Sequence, residues 1–246
     1  MSLSPNWGLR RHGLPPDMVV LHYTGMDSAE AAVDRLCDPA AEVSSHYVVT
    51  EDGSTLALVA EEHRAWHAGA GSWGNVTDVN SHSIGIEIVN PGPGGPTPAF
   101  PDSQMSAVET LLSAILGRWN IPAARVIGHS DMAPGRKQDP GPHFNWQRLA
   151  QRGLSVWPSQ TVAVEGAETE LWDRFVTAAP VFGYPAPHDQ GTDCHDDPGW
   201  HATLSAFRLR FQPQQSGPIT PRDVGIIENL AARYPCAKVD VGSANA

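Results

Sequence analysis

Between Gly128 and Pro142 the chain places His129, Lys137 and Asp139 in a loop crowded with glycine and proline. Imidazole nitrogen and carboxylate oxygen are good ligands for Zn²⁺, and an ammonium group suits a developing oxyanion. Proline fixes the backbone, so such a loop can hold these groups in place. A second histidine, His22, lies near the end of the apolar run Met18 to Tyr23. A catalytic zinc needs about three protein ligands and an open position, and His22, His129 and Asp139 supply that number. Glu87 stands in the run Ser83 to Asn90, where Ile84, Ile86 and Ile88 alternate with Gly85, Glu87 and Val89. A carboxylate there faces either solvent or a cleft, and in a cleft it is a candidate for moving protons. Lys137 is either a solvated surface group or an oxyanion partner. Two residues before Asp139 in an extended segment, it shares that residue's side.

These groups need elements to carry them. Met18–Tyr23 reads as a buried strand, and Ser28 to Leu36 as a helix. Ser45 to Thr50 and Ser54 to Ala60 flank the turn signal Glu51-Asp52-Gly53, which predicts a hairpin. Asp102 to Asn120 is the clearest helix, with Met105, Val108, Leu112, Ile115 and Trp119 on one apolar face and Asp102 or Ser103 as its cap. Arg125 to Gly128 is a strand leading to His129. Pro158 to Val164 reads as a linker. Helical patterns follow over Glu168 to Phe182, Thr203 to Phe211 and Pro221 to Tyr234, with a polar loop from Pro187 to Gly199. The expected fold is α/β: a mixed β-sheet flanked by helices in residues 1–157, plus a small three-helix domain in residues 165–246.

Composition bounds the function. The 246 residues carry a net charge of −11, and 41% are hydrophobic, enough for a packed core. The acidic balance argues against non-specific nucleic-acid binding and against a polybasic membrane contact. No apolar run approaches the ~20 residues of a membrane span. Cys37, Cys194 and Cys236 are odd in number and far apart, so neither a disulfide framework nor a metal clip is expected. Residues Met1 to Trp7 lack a basic segment followed by an apolar one. That favours a cytoplasmic location, with the periplasm as the alternative if the N-terminus is truncated.

Five short motifs occur in order: Leu21-His22-Tyr23-Thr24, Ser45-His46-Tyr47, Ala65-Trp66-His67-Ala68-Gly69, Ile84-Gly85-Ile86-Glu87 and the Gly128 to Pro142 loop. Across Val19 to Leu149 the chain resembles the zinc-dependent N-acetylmuramoyl-L-alanine amidases, the type-2 amidases related to phage endolysins and peptidoglycan-recognition proteins. The resemblance implies one Zn²⁺ per chain held by His22, His129 and Asp139, with Glu87 and Lys137 as catalytic partners. The bond cut would join the lactyl group of N-acetylmuramic acid to L-alanine, in peptidoglycan or in muropeptides. Tyr23, Tyr47, Arg64, Trp66 and His67 are candidate substrate contacts, because aromatic rings fit sugar faces and an arginine can pair with a peptide carboxylate. His46 is expected to support a neighbouring ligand or the core. The alternative is a module that binds muropeptide without cutting it, but such members tend to lose a metal ligand and all three positions are filled here. The C-terminal segments Phe182-Gly183-Tyr184, Ala206 to Gln212 and Gly217-Pro218-Ile219-Thr220 are loosely similar to three-helix peptidoglycan-binding domains. Those helices either bind wall or close one side of the cleft. Cys194-His195-Asp196-Asp197 reads as a solvated acidic loop.

Overall fold

The computed structural model describes residues 3–94, 98–159, 164–187 and 193–236. Most of the expected linker (160–163) and part of the polar loop (188–192) lie outside the described residues. Among the described residues there are seven strands: β1 (Trp7–Leu9), β2 (Met18–Tyr23), β3 (Tyr47–Val49), β4 (Thr55–Ala57), β5 (His63–Ala65), β6 (Ser83–Ile88) and β7 (Val126–Gly128). The helices are α1 (Ala29–Cys37), α2 (Val79–His82), α3 (Asp102–Trp119), α4 (His129–Met132), α5 (Trp146–Gln151), α6 (Glu168–Phe182), α7 (Pro198–Phe211) and α8 (Pro221–Arg233).

Five strands form one mixed sheet in the order β4-β3-β6-β2-β7, and β1 pairs with β5 in a separate antiparallel ribbon. Within the sheet β3, β6, β2 and β7 run parallel, and only the hairpin strand β4 is antiparallel. Parallel strands need cover on both faces. On one face Val19, Leu21, Ile84, Ile86 and Ile88 pack against Met105, Val108, Leu112 and Ile115 of α3 and Trp146 and Leu149 of α5. On the other face Met18, Val20 and Ile127 share a core with Trp172, Phe175 and Phe182 of α6, Phe207 of α7 and Leu230 of α8. The three C-terminal helices therefore extend the core of the sheet, and each large apolar side chain buried between the layers contributes about 1.5–3 kcal/mol. Further along this second face, Leu36 of α1 packs on Val48, Leu58 and Val89.

Element ends follow local chemistry. Ser28 caps α1 by accepting from the Ala31 amide, and Asn120 ends α3 in the left-handed conformation. Neither Asp102 nor Ser103 caps α3, whose first position is preceded by Pro101. Helix α7 starts at Pro198, earlier than the apolar pattern from Thr203 implied. Asp197 accepts from the Gly199 and Trp200 amides, and Pro198 occupies the first turn. No helix among the described residues is long and apolar enough to cross a membrane.

Candidate active site

Strand register builds the centre of the site. In the parallel pairing of β2 with β6, His22 lies opposite Glu87, so both side chains leave the same face of the sheet. Leu21 lies opposite Gly128 at the end of β7, and the next residue, His129, opens α4. The Ser130 amide donates to the Asp139 carbonyl (2.9 Å), which brings the far end of the loop back over the strand ends. Gly128 makes room for this return, because a Cβ there would stand 2.9 Å from Pro140. His22 Nδ1, His129 Nδ1 and Asp139 Oδ2 converge at 2.9, 2.9 and 3.0 Å from one another. The residues are 1%, 3% and 6% exposed, so the cluster is withdrawn from bulk water.

The partners around the two imidazoles decide where their protons sit. His129 Nε2 is 2.8 Å from the Ala68 carbonyl, which can only accept, and 3.3 Å from Arg136 Nη2, which can only donate. The nearer carbonyl favours the proton on Nε2, the tautomer that turns a lone pair on Nδ1 toward the centre. For His22 the assignment runs outward through three groups. Ser83 Oγ donates to the Val79 carbonyl (2.5 Å) and so accepts from His67 Nε2 (3.2 Å). His67 Nδ1 is then an acceptor for His22 Nε2–H (2.9 Å), which leaves His22 Nδ1 bare. In these tautomers two lone pairs and a carboxylate oxygen face one point. Burial first, and the neighbouring His129 second, push the His22 imidazolium down to about 4, so the ring is neutral at pH 7. Such a trio repels itself unless a cation occupies its centre. A tetrahedral zinc with donors at about 2.0–2.2 Å spaces them about 3.3–3.6 Å apart, a few tenths of an ångström wider than observed. The donor set fits zinc, and partners that orient ligating imidazoles are a regular companion of such sites.

Glu87 borders this cluster. Its Oε2 is buried and has no hydrogen-bond partner among the described residues. Burial, reinforced by Asp139, raises its carboxyl well above the ordinary value, while Lys137 pulls in the opposite direction. Lys137 is half-buried; its backbone amide donates to the Ala133 carbonyl (3.0 Å), while its ammonium makes no hydrogen bond or ion pair among the described residues. All five groups line one cavity of about 520 Å³.

The other sequence candidates divide. Tyr23, Trp66 and His67 line the cavity. Tyr47 and Arg64 do not, which corrects the expectation for both. Tyr47 lies opposite Ile86, on the α3 side of the sheet, and its hydroxyl donates to Glu61 (2.6 Å) beside Arg118. Arg64 is drawn away by Asp78, at 3.0 Å. His46 supports the structure as expected: it accepts from the Gly85 amide (2.9 Å) and donates to the His63 carbonyl (3.0 Å). Gly85 also leaves space for His67, whose ring would lie 2.5 Å from a Cβ there. Cys37, the last residue of α1, packs against the Leu36, Val48, Leu58 and Val89 cluster, does not line the cavity, and has its thiol pKa raised by burial.

Met26, Arg35, Arg136 and Gln138 also line the cavity, and no sequence pattern marked them. A second unmarked group holds the histidine turn from behind. Asp131, fully buried, accepts from the Gly128 amide (2.8 Å), the Tyr184 hydroxyl (2.7 Å) and Arg210 of α7 (2.6 Å). Arg210 reaches on to the Val126 carbonyl (3.1 Å) and lies 4.2 Å over the Trp146 ring.

Sheet, cleft and donor groups together define an α/β protein with a candidate metal-binding site in its main cleft. The chain belongs to the N-acetylmuramoyl-L-alanine amidase family, whose model matches residues 12–142, more than half of its length. It is 39% identical over 153 residues to N-acetylmuramoyl-L-alanine amidase AmiD of Escherichia coli, covering 57% of this chain and 54% of that protein. It is 32% identical over 163 residues to 1,6-anhydro-N-acetylmuramyl-L-alanine amidase AmpD of Citrobacter freundii, covering 59% and 85%. In three dimensions it resembles AmpDh3 of Pseudomonas aeruginosa, with a TM-score of 0.77 at 30% identity over 91% of this chain and 94% of that one. It also resembles E. coli AmiD in complex with anhydro-N-acetylmuramic acid-L-Ala-D-gamma-Glu-L-Lys, with a TM-score of 0.75 at 30% identity over 91% and 92%.

Proposed function

We propose that this chain is a zinc-dependent amidase that cleaves the bond between N-acetylmuramic acid, or its 1,6-anhydro form, and L-alanine in muropeptides and peptidoglycan. The observation that carries the reading is the convergence of two bare imidazole nitrogens and a carboxylate oxygen beside Glu87 and Lys137 in one cavity. The substrate class is supported by relatives whose names specify that bond. His22, His129 and Asp139 would hold one zinc per chain, which when bound would supply Lewis acidity and lower the pKa of water to about 7. Glu87 accepts the proton of the attacking water and returns it to the departing amide nitrogen. Its raised affinity for protons suits a group that must both take and give near neutral pH. Lys137 places positive charge beside the carbonyl oxygen as negative charge develops there. Trp66 and Tyr23 offer ring faces to the sugar.

Purified protein incubated with an anhydro-muramyl peptide and zinc should release free peptide, and a chelator should stop the release. Glu87→Gln should lower turnover by about 10²–10⁴-fold while retaining one zinc per chain by elemental analysis. Absence of cleavage with zinc present, on both the anhydro-muropeptide and the polymer, overturns the proposal.

A further inference from the structure

A second groove opens on the α7 side of the catalytic cavity. It has a volume of about 480 Å³ and shares Lys137 and Gln138 with that cavity, so the two are separated only by a ridge of the catalytic loop. The loop meets the helix at small residues: a Cβ on Gly135 would stand 3.1 Å from the Ala202 side chain. The groove is of ligand size, within the ~300–1,000 Å³ typical of binding clefts.

We infer that this groove holds the continuation of the stem peptide beyond the residues bound at the scissile amide, making α7 a determinant of peptide length. The inference rests on the amidase reading. Three features of the lining select that occupant. First, no Asp or Glu lines the groove among the described residues, although the chain carries a net charge of −11; its ionisable groups are Lys137, His201 and Arg208. Arg208 is already bound to Asp223 (2.6 Å) and His201 Nε2 is held at 2.6 Å by the His195 carbonyl, so Lys137 is the cation that remains to attract an anion. A γ-linked glutamate, as in the peptide bound by E. coli AmiD, keeps its α-carboxylate free, and a stem peptide is accordingly anionic. Second, Gln138, Ser205 and Gln215 offer amide and hydroxyl groups that match peptide N–H and C=O. Third, no Phe, Tyr or Trp lines the groove among the described residues, whereas Trp66 and Tyr23 line the catalytic cavity. Sugar faces are thus provided for beside the metal ligands, and peptide on the α7 side.

The test compares two substrates that share the muramyl-L-alanine bond, one ending after the second stem residue and one carrying four or five. Ser205 is exposed on α7, and Ser205→Trp places an indole in the groove. The ratio of kcat/KM for the long substrate over the short one should fall at least tenfold in the variant, through KM. Calorimetric titration with the free tetrapeptide supplies a readout that needs no turnover: wild type should bind it and Ser205→Trp should bind at least tenfold more weakly. An unchanged ratio, or equal binding of the tetrapeptide by both proteins, overturns the inference, as does a ratio that follows glycan length instead of peptide length. If neither substrate is cut by wild type yet the tetrapeptide titration behaves as expected, the amidase reading fails while the groove assignment stands.

Discussion

At the scale of single residues, the site depends on proton positions as much as on ligand identity. The chain from Val79 through Ser83 and His67 to His22 leaves His22 Nδ1 bare, and Ala68 does the same for His129. Ser83→Ala removes the acceptor for His67 Nε2–H and frees His67 to turn over, while Gly85→Ala expels the His67 ring. Each should weaken zinc binding by about 10–100-fold, measured by competition with a chromogenic chelator. Unchanged affinity in both variants would show that the relay does not orient His22. His22, His129 and Asp139 were legible as candidate ligands because strand ends and a proline-framed loop gather donors that are distant along the chain, whereas Glu87 and Lys137 stood as open alternatives until the family resemblance assigned them roles. Tyr47 was misplaced although alternation offered a warning. His46 and Tyr47 are adjacent on a strand, so they face opposite sides, and the face His46 shares with Glu87 leaves Tyr47 to α3. Arg64 carried no such signal, since only the fold reveals Asp78 beside it.

At the scale of elements, helix α3 and strands β2 and β6 announced themselves by long, regular periods. The β1–β5 ribbon did not, because three-residue strands hold too few side chains to establish a period. The early start of α7 was signalled by Asp197-Pro198, a cap followed by a proline, which the apolar pattern alone does not register. The contact between α7 and the histidine turn was not legible at all, since Asp131 and Arg210 stand 79 residues apart in the chain. That pair is buried on both sides, at 1% and 0% side-chain exposure. Removing one member strands the other charge in the interior, so Arg210→Met should destabilise the fold by about 3–5 kcal/mol. For a chain of this size that corresponds to a fall in Tm of roughly 6–20 °C, read by calorimetry. A loss below about 1 kcal/mol would mean that Asp131 finds other partners and that α7 does not hold the turn.

At the scale of the whole molecule, a row of buried histidines ties stability to pH, and His46 isolates the effect from the metal ligands. Its Nδ1 accepts from the Gly85 amide, and its Nε2–H points at the His63 carbonyl with an Arg10 guanidinium nitrogen 3.2 Å away. A second proton would set N–H against N–H and a cation beside an arginine. Burial first, and Arg10 second, lower its pKa from 6.5 to about 3. Between those values the unfolded chain binds a proton that the folded chain refuses, so acid favours unfolding. The contribution of His46 is fully present above about pH 6.5 and declines as pH falls toward 3, by up to about 1.4 kcal/mol per unit. Urea unfolding of the zinc-free protein at pH 7, 6 and 5 should therefore show midpoints that fall with acidity. His46→Gln, which has no titrating ring, should flatten that dependence by up to one proton's share. A variant with the same slope as wild type between pH 6 and 5 would show that His46 takes up its proton in the folded state. The hydrogen bonds to Gly85 and His63 would then be too weak to hold the histidine neutral behind the active-site strand.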